Sequence, residues 1–266
     1  MKNIKSSGIS FEKKIVLLRL DLNVPLQNGK ITDTSRIDKI IPTLNFLIQK
    51  KAKIIIISHV GRPKGKMVAE LSLEPICKNL SEKINKNINL IKSDPKKINK
   101  KELFSNSDSN IAMLENIRFY KEEEKFDLKF AEKISHLFDI YVNDAFSASH
   151  RNHTSITGFA KYMPAVAGNH LLKEIENINL FLDNAQKPSM AIIGGSKIST
   201  KIMLLNNLIE QFSSIAIGGA MANTFLLANK KKIGNSLVEK NLIQEAINIQ
   251  KKARKLNCKL ILPVDV

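Results

Sequence analysis

The chain contains apolar runs that end in positively charged loops, and the run at residues 54–57 constrains the fold most. It reads IIII and leads directly into SHVGRPKGK, which carries His59, Arg62 and Lys64. Four consecutive isoleucines are typical of a strand buried on both faces, as in a parallel sheet covered by helices. Ligands of open α/β sheets bind outside the carboxyl ends of the strands, so this loop predicts an anion site.

The same arrangement recurs along the chain. Three further apolar runs lead into polar loops, in VLLRLDLNVP from Val16, AMLENIRF from Ala112 and IYVNDAFSASHRNHTS from Ile140. Helical patterns at about 36–50, 71–84 and 127–138 alternate with these runs, and the alternation predicts an α/β fold with a parallel sheet. The pair Asn28 and Gly29 predicts a turn or short hairpin after the first strand.

Arginine is scarce in this chain and is concentrated near the loops. The sequence has 36 lysines but only six arginines, of which five lie in or beside the loops: Arg19, Arg36, Arg62, Arg118 and Arg151. A guanidinium binds phosphate or carboxylate with a rigid two-pronged fork, whereas an ammonium is a hydrated point charge. Any one of these arginines could be an ordinary surface residue, but five together favour anion binding.

Composition narrows the class of protein. A chain of 266 residues with 43% apolar content is a packed globular protein of one large or two ordinary domains. No apolar stretch approaches the roughly 20 residues that span a bilayer, and the N-terminus lacks a signal-peptide pattern, so we expect a cytoplasmic protein without a membrane partner. Cys77 and Cys258 have no metal-binding or disulfide spacing and are expected to be buried thiols.

The formal charge of +17 raises the possibility of nucleic-acid binding. However, the lysines are spread through every predicted helix, and no helix-turn-helix or RNA-binding motif occurs. We therefore expect no nucleic-acid partner and favour a small acidic substrate. The acidic triplet Glu122–Glu124 is interpreted as a solvated face.

Two domains and a linker are expected: 1–169, a linker helix at 170–185, and a second α/β unit at 186–266. The segment KYMPAVAGN at 161–169 is interpreted as the boundary loop. Because a three-stranded half-lobe buries little area and leaves strand edges exposed, and the chain stops directly after a strand, we expect the second lobe to be truncated.

Two glycine turns in the second unit indicate a nucleotide site. AIIGGSKISTKI and AIGGAMANTF each place a glycine pair, Gly194–Gly195 and Gly218–Gly219, between a strand and a helix. Glycine lets the backbone approach a phosphate, and a helix N-terminus offers unpaired N–H donors. Lys197 and Lys201, four residues apart, are predicted to project from one helical face. Tight strand-to-helix turns also need glycine for purely structural reasons, and that alternative stays open.

Taken together, these motifs resemble the phosphoglycerate kinase family. The matching segments, in the order in which the family carries them, are LRLDLNVP, TSRI, SHVGRPKG, LENIRFY, VNDAFSASHRNHTS, GGSKISTKI and GGAMANTFL. The resemblance implies two Rossmann-like lobes that close about a hinge, a monomer, and phosphoryl transfer in glycolysis. The substrates implied are 1,3-bisphosphoglycerate and ADP, and the products 3-phosphoglycerate and ATP.

The resemblance also assigns residues to the phosphoglycerate half of the site. Asp21 and Asn23 would bind the glycerate hydroxyl and carboxylate region, and Arg36 would sit at the carboxyl or acyl-phosphate end as a catalytic residue. The non-transferred phosphate would be clamped by His59, Arg62, Arg118 and Arg151.

In the nucleotide half, the resemblance makes Lys197 the second catalytic residue, neutralising charge on the phosphoryl group in transfer. Lys201 and the four glycines, Gly194, Gly195, Gly218 and Gly219, would line the ATP or ADP site. Mg²⁺ would arrive with the nucleotide.

The chain departs from the family mainly at its C-terminus. The family continues past LPVDV to an acidic residue that holds the ribose and a Gly-rich loop with an aspartate near Mg²⁺. We therefore expect a complete phosphoglycerate half-site, a partial nucleotide half-site and no protein ligand to the metal. The alternative is a phosphoglycerate-binding fragment without turnover.

Overall fold

The computed structural model describes residues 2–104, 110–183 and 187–264 of the chain, which divides after Glu176 into two compact units. The division falls inside one helix, Asn169–Asp183. The domain limits expected from the sequence, 1–169, 170–185 and 186–266, stay a prediction.

The first unit alternates strands and helices. Its strands are β1 (Ile15–Leu20), β2 (Leu26–Gln27), β3 (Lys30–Ile31), β4 (Lys53–Ile57), β5 (Asn89–Ile91), β6 (Ile111–Leu114), β7 (Ile140–Asp144) and β8 (Ala165–Ala167). Its helices are α1 (Ser35–Gln49), α2 (Glu74–Ile84), α3 (Lys121–Glu124) and α4 (Leu128–Ser135), followed by the beginning of α5 (Asn169–Asp183). Six strands form one parallel sheet in the order β5-β6-β4-β1-β7-β8, which confirms the predicted α/β class.

The isoleucine run is the central strand β4, and its side chains alternate between the two faces of the sheet. Ile54 and Ile56 belong to the core beneath α1 and α2, while Ile55 and Ile57 belong to the core beneath α4. All four are at most 1% exposed. Burial of each isoleucine contributes roughly 2 kcal/mol to the free energy of folding, so β4 fixes the position at which the following loop begins.

The hairpin predicted at Asn28 and Gly29 is confirmed. β2 and β3 pair antiparallel, with Leu26 opposite Ile31. Asn28 has a φ of 50° and Gly29 a φ of 71°. Positive φ at both central residues is the requirement of a type I′ turn, and Asn-Gly satisfies it at little steric cost.

Two predictions of secondary structure in the first unit are wrong. α2 begins at Glu74 instead of about residue 71, because Ser72 Oγ and the Leu73 N–H both bind the Glu115 carboxylate, at 2.7 and 2.8 Å, and hold the chain outside the helix. The segment interpreted as a boundary loop contains β8, which pairs with β7.

The second unit is a smaller α/β layer. It contains β9 (Met190–Gly194), α6 (Ile202–Gln211), β10 (Ser214–Gly218), α7 (Met221–Ala228), α8 (Ile243–Lys255) and β11 (Lys259–Ile261). The three strands form a parallel sheet, as predicted, and their order is β11-β10-β9. On β9, Ile193 is buried against the helices, whereas Ile192 is 81% exposed.

Two helices of this unit begin after a non-helical connection. α6 begins at Ile202, although Lys197 and Lys201 were both expected on its helical face, and α8 begins at Ile243. Glu239 explains both, because its carboxylate accepts bonds from Ser199 N and Ser199 Oγ, at 3.1 and 2.7 Å. These bonds hold residues before each helix in a non-helical connection.

Cys77 and Cys258 are both buried free thiols, and burial raises the pKa of Cys77 to about 12. Within the described residues, every helix is too short or too polar to cross a membrane.

Gly219 yields a test of this packing. It has a φ of +70°, and a Cβ added there would lie 2.7 Å from the Gly195 carbonyl oxygen. Gly234 also has a positive φ, +55°, but has open space around it. Left-handed strain of about 1–2 kcal/mol is common to both positions, while the clash is confined to Gly219. We expect Gly219→Ala to lower the free energy of unfolding by about 2 kcal/mol more than Gly234→Ala, measured by urea denaturation followed by circular dichroism. Equal losses would contradict the close approach of the two glycine turns.

Candidate functional site

Polar side chains from four adjacent strands meet at one edge of the first unit's sheet. β6, β4, β1 and β7 are neighbours, and all are parallel, so their carboxyl ends lie side by side. The predicted residues follow these strands: Asp21 and Asn23 after β1, His59 and Arg62 after β4, Arg118 after β6, and Arg151 after β7. This is the edge at which open α/β sheets bind their ligands.

Arg118 is the most unusual of these residues. Its side chain is buried, with a relative exposure of 2% for the residue, and Nη1 donates to the Gly61 carbonyl at 2.8 Å. Among the described residues, Nε and Nη2 are buried without a hydrogen-bond partner, and the nearest carboxylate, Glu124, is 3.6 Å from Nε. Burial and the nearby charge of Arg151 lower the pKa of Arg118. Buried donors without partners are rare, and here they indicate a binding position for an anion.

Asn116 explains why Arg118 is held in this place. Its side chain is fully buried, and Nδ2 donates to the carbonyls of Val60 and Leu71, at 2.8 and 2.9 Å. Its Oδ1 accepts the Arg118 N–H at 3.1 Å, which caps the short 3-10 turn Ile117–Phe119. One amide therefore fixes the loop after β6 against the loop after β4.

Arg19 belongs to this group, although the family resemblance gave it no contact with the substrate. It lies on β1 and is 1% exposed. Nη2 is 2.8 Å from His59 Nδ1, Nε donates to Ser155 Oγ at 2.9 Å, and Nη1 donates to the Leu20 carbonyl. The sequence contained a signal for this role, because Arg19 is an arginine within an otherwise apolar strand and a buried guanidinium requires hydrogen-bond partners.

Glu123 corrects a second sequence-based interpretation. The triplet Glu122–Glu124 was expected to be a solvated face, but Glu123 is fully buried. Its carboxylate accepts the Ser155 N–H at 2.7 Å and the Ser155 hydroxyl at 2.6 Å. His153 Nδ1 lies 3.7 Å from the same carboxylate. The helix α3 is a single turn, and Glu123 within it faces the loop after β7.

The charges around His59 are all positive. Burial, followed by the charges of Arg19, Arg118 and Arg151 and then of His153, lowers the pKa of His59 far below its ordinary value. His59 is therefore neutral at neutral pH, while three guanidinium groups act on the same small volume. The pKa of His153 is also lowered, mainly by burial, against the opposing effect of Glu123.

Asp21 and Arg36 form a second part of the edge. Arg36, in the first turn of α1, donates Nη1 to Asp21 Oδ2, and Ser147 Oγ donates to the same oxygen. The Arg36 side chain remains 44% exposed. These residues border a cavity of about 160 Å³ lined by Asp21, Arg36, Lys39, Phe146, Ser147, His170 and Glu174. His170 thus lies beside two predicted site residues.

Asn23 connects the two parts through the backbone of Gly61. Its Oδ1 accepts the Gly61 N–H at 2.9 Å, and the Gly61 carbonyl accepts the bond from Arg118. Arg62, the next residue, is exposed and has no hydrogen bond or ion pair with the rest of the described chain. Arg19, His59, Arg118 and Arg151 are thus brought together, Arg36 is paired with Asp21, and Arg62 follows the same loop without a contact.

The predicted nucleotide residues of the second unit form their own group. Gly194 and Gly218 are paired in register on β9 and β10, and Met221 N donates to the Gly195 carbonyl at 2.9 Å. Lys201 lies beside Gly195, with its Cε 4.0 Å from the position that a Cβ there would take.

The prediction that Lys197 and Lys201 share a helical face is wrong, because both precede α6. Ile198, between them, is fully buried in the core of this unit. Because Ile198 is buried, residues 198–201 form a turn in which Lys201 N donates to the Ile198 carbonyl at 2.8 Å. The helix begins only after this turn.

Comparison with known proteins agrees with the motifs and the fold. A family model described as phosphoglycerate kinase matches residues 6–266. The phosphoglycerate kinase of Pelotomaculum thermopropionicum is 41% identical over 258 residues, covering 97% of this chain and 66% of that protein. That of Bradyrhizobium diazoefficiens is 44% identical over 257 residues, covering 97% of this chain and 64% of the relative.

Solved structures show the same likeness. The phosphoglycerate kinase from Coxiella burnetii has a TM-score of 0.82 at 40% identity, covering 97% of this chain and 65% of that one. The enzyme from Pyrococcus horikoshii has a TM-score of 0.81 at 28% identity, covering 99% and 67%. The chain spans about two thirds of the length of the relatives that it matches. On the match of its sequence and of its fold, the chain belongs to the phosphoglycerate kinase family.

Proposed function

We propose that the protein takes part in reversible phosphoryl transfer from 1,3-bisphosphoglycerate to ADP, giving 3-phosphoglycerate and ATP in glycolysis. The observation that carries the proposal is Arg118, a buried guanidinium whose nitrogens Nε and Nη2 have no hydrogen-bond partner in the described part of the chain. Its neighbours Arg19, Arg151 and His59 supply further positive charge and a neutral imidazole. A phosphate with several acceptor oxygens matches this set of donors.

The phosphoglycerate would lie along the edge formed by the loops after β1, β4, β6 and β7. Its phosphate would be bound by His59, Arg62, Arg118 and Arg151, and its hydroxyl and carboxylate region by Asp21 and Asn23. Arg62, exposed and unpaired among the described residues, is free to turn toward an anion. Arg36 would act at the carboxyl or acyl-phosphate end, exchanging its contact with Asp21 for one with the substrate.

The nucleotide would bind at the glycine turns of the second unit. Gly194, Gly195, Gly218 and Gly219 let the backbone approach the phosphates, Lys201 lies beside them, and Lys197 would neutralise charge on the transferred group. The described residues contain no group of three or more His, Cys, Asp or Glu side chains suited to a metal ion. Mg²⁺ often binds largely through substrate phosphates and water, so we propose that it enters with the nucleotide.

This chemistry fits the residues because phosphoryl transfer demands positioning and charge stabilisation from the protein, and little covalent work. No nucleophilic side chain is required. A phosphoglycerate-binding role without turnover would account for the arginines, but it gives no role to Lys197 or to Lys201 beside the glycine turns. The monomeric state and the cytoplasmic location stay predictions.

Arg118→Lys tests the phosphoglycerate site. Lysine keeps the charge but loses the fork, and charge-assisted hydrogen bonds are worth about 1.5–3 kcal/mol each. We expect the affinity for 3-phosphoglycerate, measured by isothermal titration calorimetry, to fall about 10- to 100-fold.

Arg254→Lys is the matched control, since Arg254 is the arginine farthest along the chain and lies exposed on α8. It should leave the affinity unchanged. Equal affinities for the wild type and Arg118→Lys would refute the assignment of Arg118.

Lys201→Ala tests the nucleotide site in the same way. A single charge near phosphates at the protein surface is worth about 1–2 kcal/mol, so we expect Mg-ADP to bind roughly 5- to 30-fold more weakly, with no change for 3-phosphoglycerate. Lys232→Ala, an exposed position in the same unit, serves as the control. A loss of 3-phosphoglycerate affinity in Lys201→Ala would show that the variant damages the fold, and unchanged Mg-ADP binding would count against the site.

A further inference from the structure

A line of hydrogen bonds runs from a buried carboxylate to the imidazole of His59. It begins at Glu123, which accepts the Ser155 hydroxyl at 2.6 Å. Ser155 Oγ in turn accepts Arg19 Nε at 2.9 Å, and Arg19 Nη2 is 2.8 Å from His59 Nδ1. All four residues are at most 5% exposed. The proposed phosphoglycerate chemistry assigns no role to Glu123 or Ser155.

The direction of each bond in this line is determined by chemistry. A guanidinium has only donors, so His59 Nδ1 must be the acceptor in its bond with Arg19. The ring proton therefore lies on the other nitrogen, Nε2. Among the described residues Nε2 has no hydrogen-bond partner, so its N–H is available to a ligand.

We infer that Glu123, Ser155 and Arg19 are positioning residues that hold His59 as a neutral imidazole with its proton on Nε2. This inference rests on the proposed function, because it makes His59 an uncharged N–H donor to the phosphate of phosphoglycerate. Glu123 is held by two bonds from Ser155, and Arg19 by Ser155, the Leu20 carbonyl and His59. The position of Arg19 Nη2, and so the state of His59, thus depends on Glu123, Ser155 and the Leu20 carbonyl, to which the proposed function gives no contact with the substrate.

The surroundings of His59 favour the same state. The charged groups that face it are Arg19 from β1, Arg118 from the turn after β6, and Arg151 and His153 from the loop after β7. Each opposes a further positive charge on the imidazole. The buried carboxylate of Glu123 is directed at Ser155 and lies 3.7 Å from His153, so it does not compensate a charge on His59 directly.

The first test measures the tautomer of His59 in the ligand-free chain. Long-range proton–nitrogen correlation spectra of the ¹⁵N-labelled protein distinguish the two neutral tautomers and the imidazolium. We expect the Nε2–H form at pH 7 and no protonation of His59 down to pH 5.5. An Nδ1–H tautomer, or an imidazolium within this range, would overturn the inference.

The second test removes the link between Glu123 and Arg19. Ser155→Ala deletes the hydroxyl but retains the backbone bond from residue 155 to Glu123. We expect the His59 nitrogen signals to shift toward a mixture of tautomers and 3-phosphoglycerate to bind about 5- to 10-fold more weakly. Ser155→Thr, which restores a hydroxyl, should recover both.

Ser149→Ala is the matched control, because Ser149 lies on the same loop and, within the described parts of the chain, its hydroxyl binds only the Ala145 carbonyl, at 3.0 Å. It should change neither readout. A single Nε2–H tautomer that persists in Ser155→Ala would refute the positioning role of Ser155 and Glu123.

If the wild type shows the Nε2–H tautomer but does not bind 3-phosphoglycerate, the positioning stands and the proposed function fails. If it binds 3-phosphoglycerate but shows an Nδ1–H tautomer, the proposed function stands and the positioning fails.

Discussion

Two arginine side chains in the site, Arg19 and Arg118, are buried, and the surrounding residues are arranged to meet the need of these side chains for hydrogen-bond acceptors. A guanidinium taken out of water needs acceptors or a counter-ion, because an unpaired buried charge is strongly destabilising. Arg19 finds them inside the protein, in Ser155, the Leu20 carbonyl and His59. Among the described residues Arg118 donates only to the Gly61 carbonyl and has the Glu124 carboxylate 3.6 Å from Nε, while Nε and Nη2 have no hydrogen-bond partner. One arginine therefore completes the scaffold, and the other is left open to a ligand.

The parallel sheet makes this arrangement possible, since it brings the ends of four strands to one edge. The loops that follow the strands are held to one another by side chains from neighbouring loops. Asn116 binds the carbonyl of Val60, Asn23 binds the N–H of Gly61, and Ser155 binds Glu123. Because each of these bonds joins two segments distant in sequence, the loops form one rigid edge, and a preorganised edge loses little entropy when a substrate binds.

The sequence was informative where the type and immediate neighbours of a residue determine its environment. The run of isoleucines predicted a strand buried on both faces, and Asn-Gly predicted the hairpin. It was not informative where the partner is distant: Arg19 binds a residue 136 positions away, and Glu123 one that is 32 positions away. The start of α6 was missed for the same reason, because Ser199 is bound by Glu239 from beyond α7. Local patterns carry no information about such contacts.

The contrast between arginine and lysine follows from the same physics. Among the described residues two of the six arginines are buried, whereas none of the lysines is. The guanidinium is weakly hydrated and spreads its charge over five N–H donors, so it can leave water if several acceptors surround it. An ammonium is strongly hydrated, and its three N–H donors have no fixed planar arrangement. The free energy lost when it leaves water therefore exceeds what its three hydrogen bonds in the protein would regain. A chain rich in lysine therefore must use arginine at the positions where a cation has to be both buried and precisely oriented. The scarcity of arginine is informative for this reason, and positive charge alone is not.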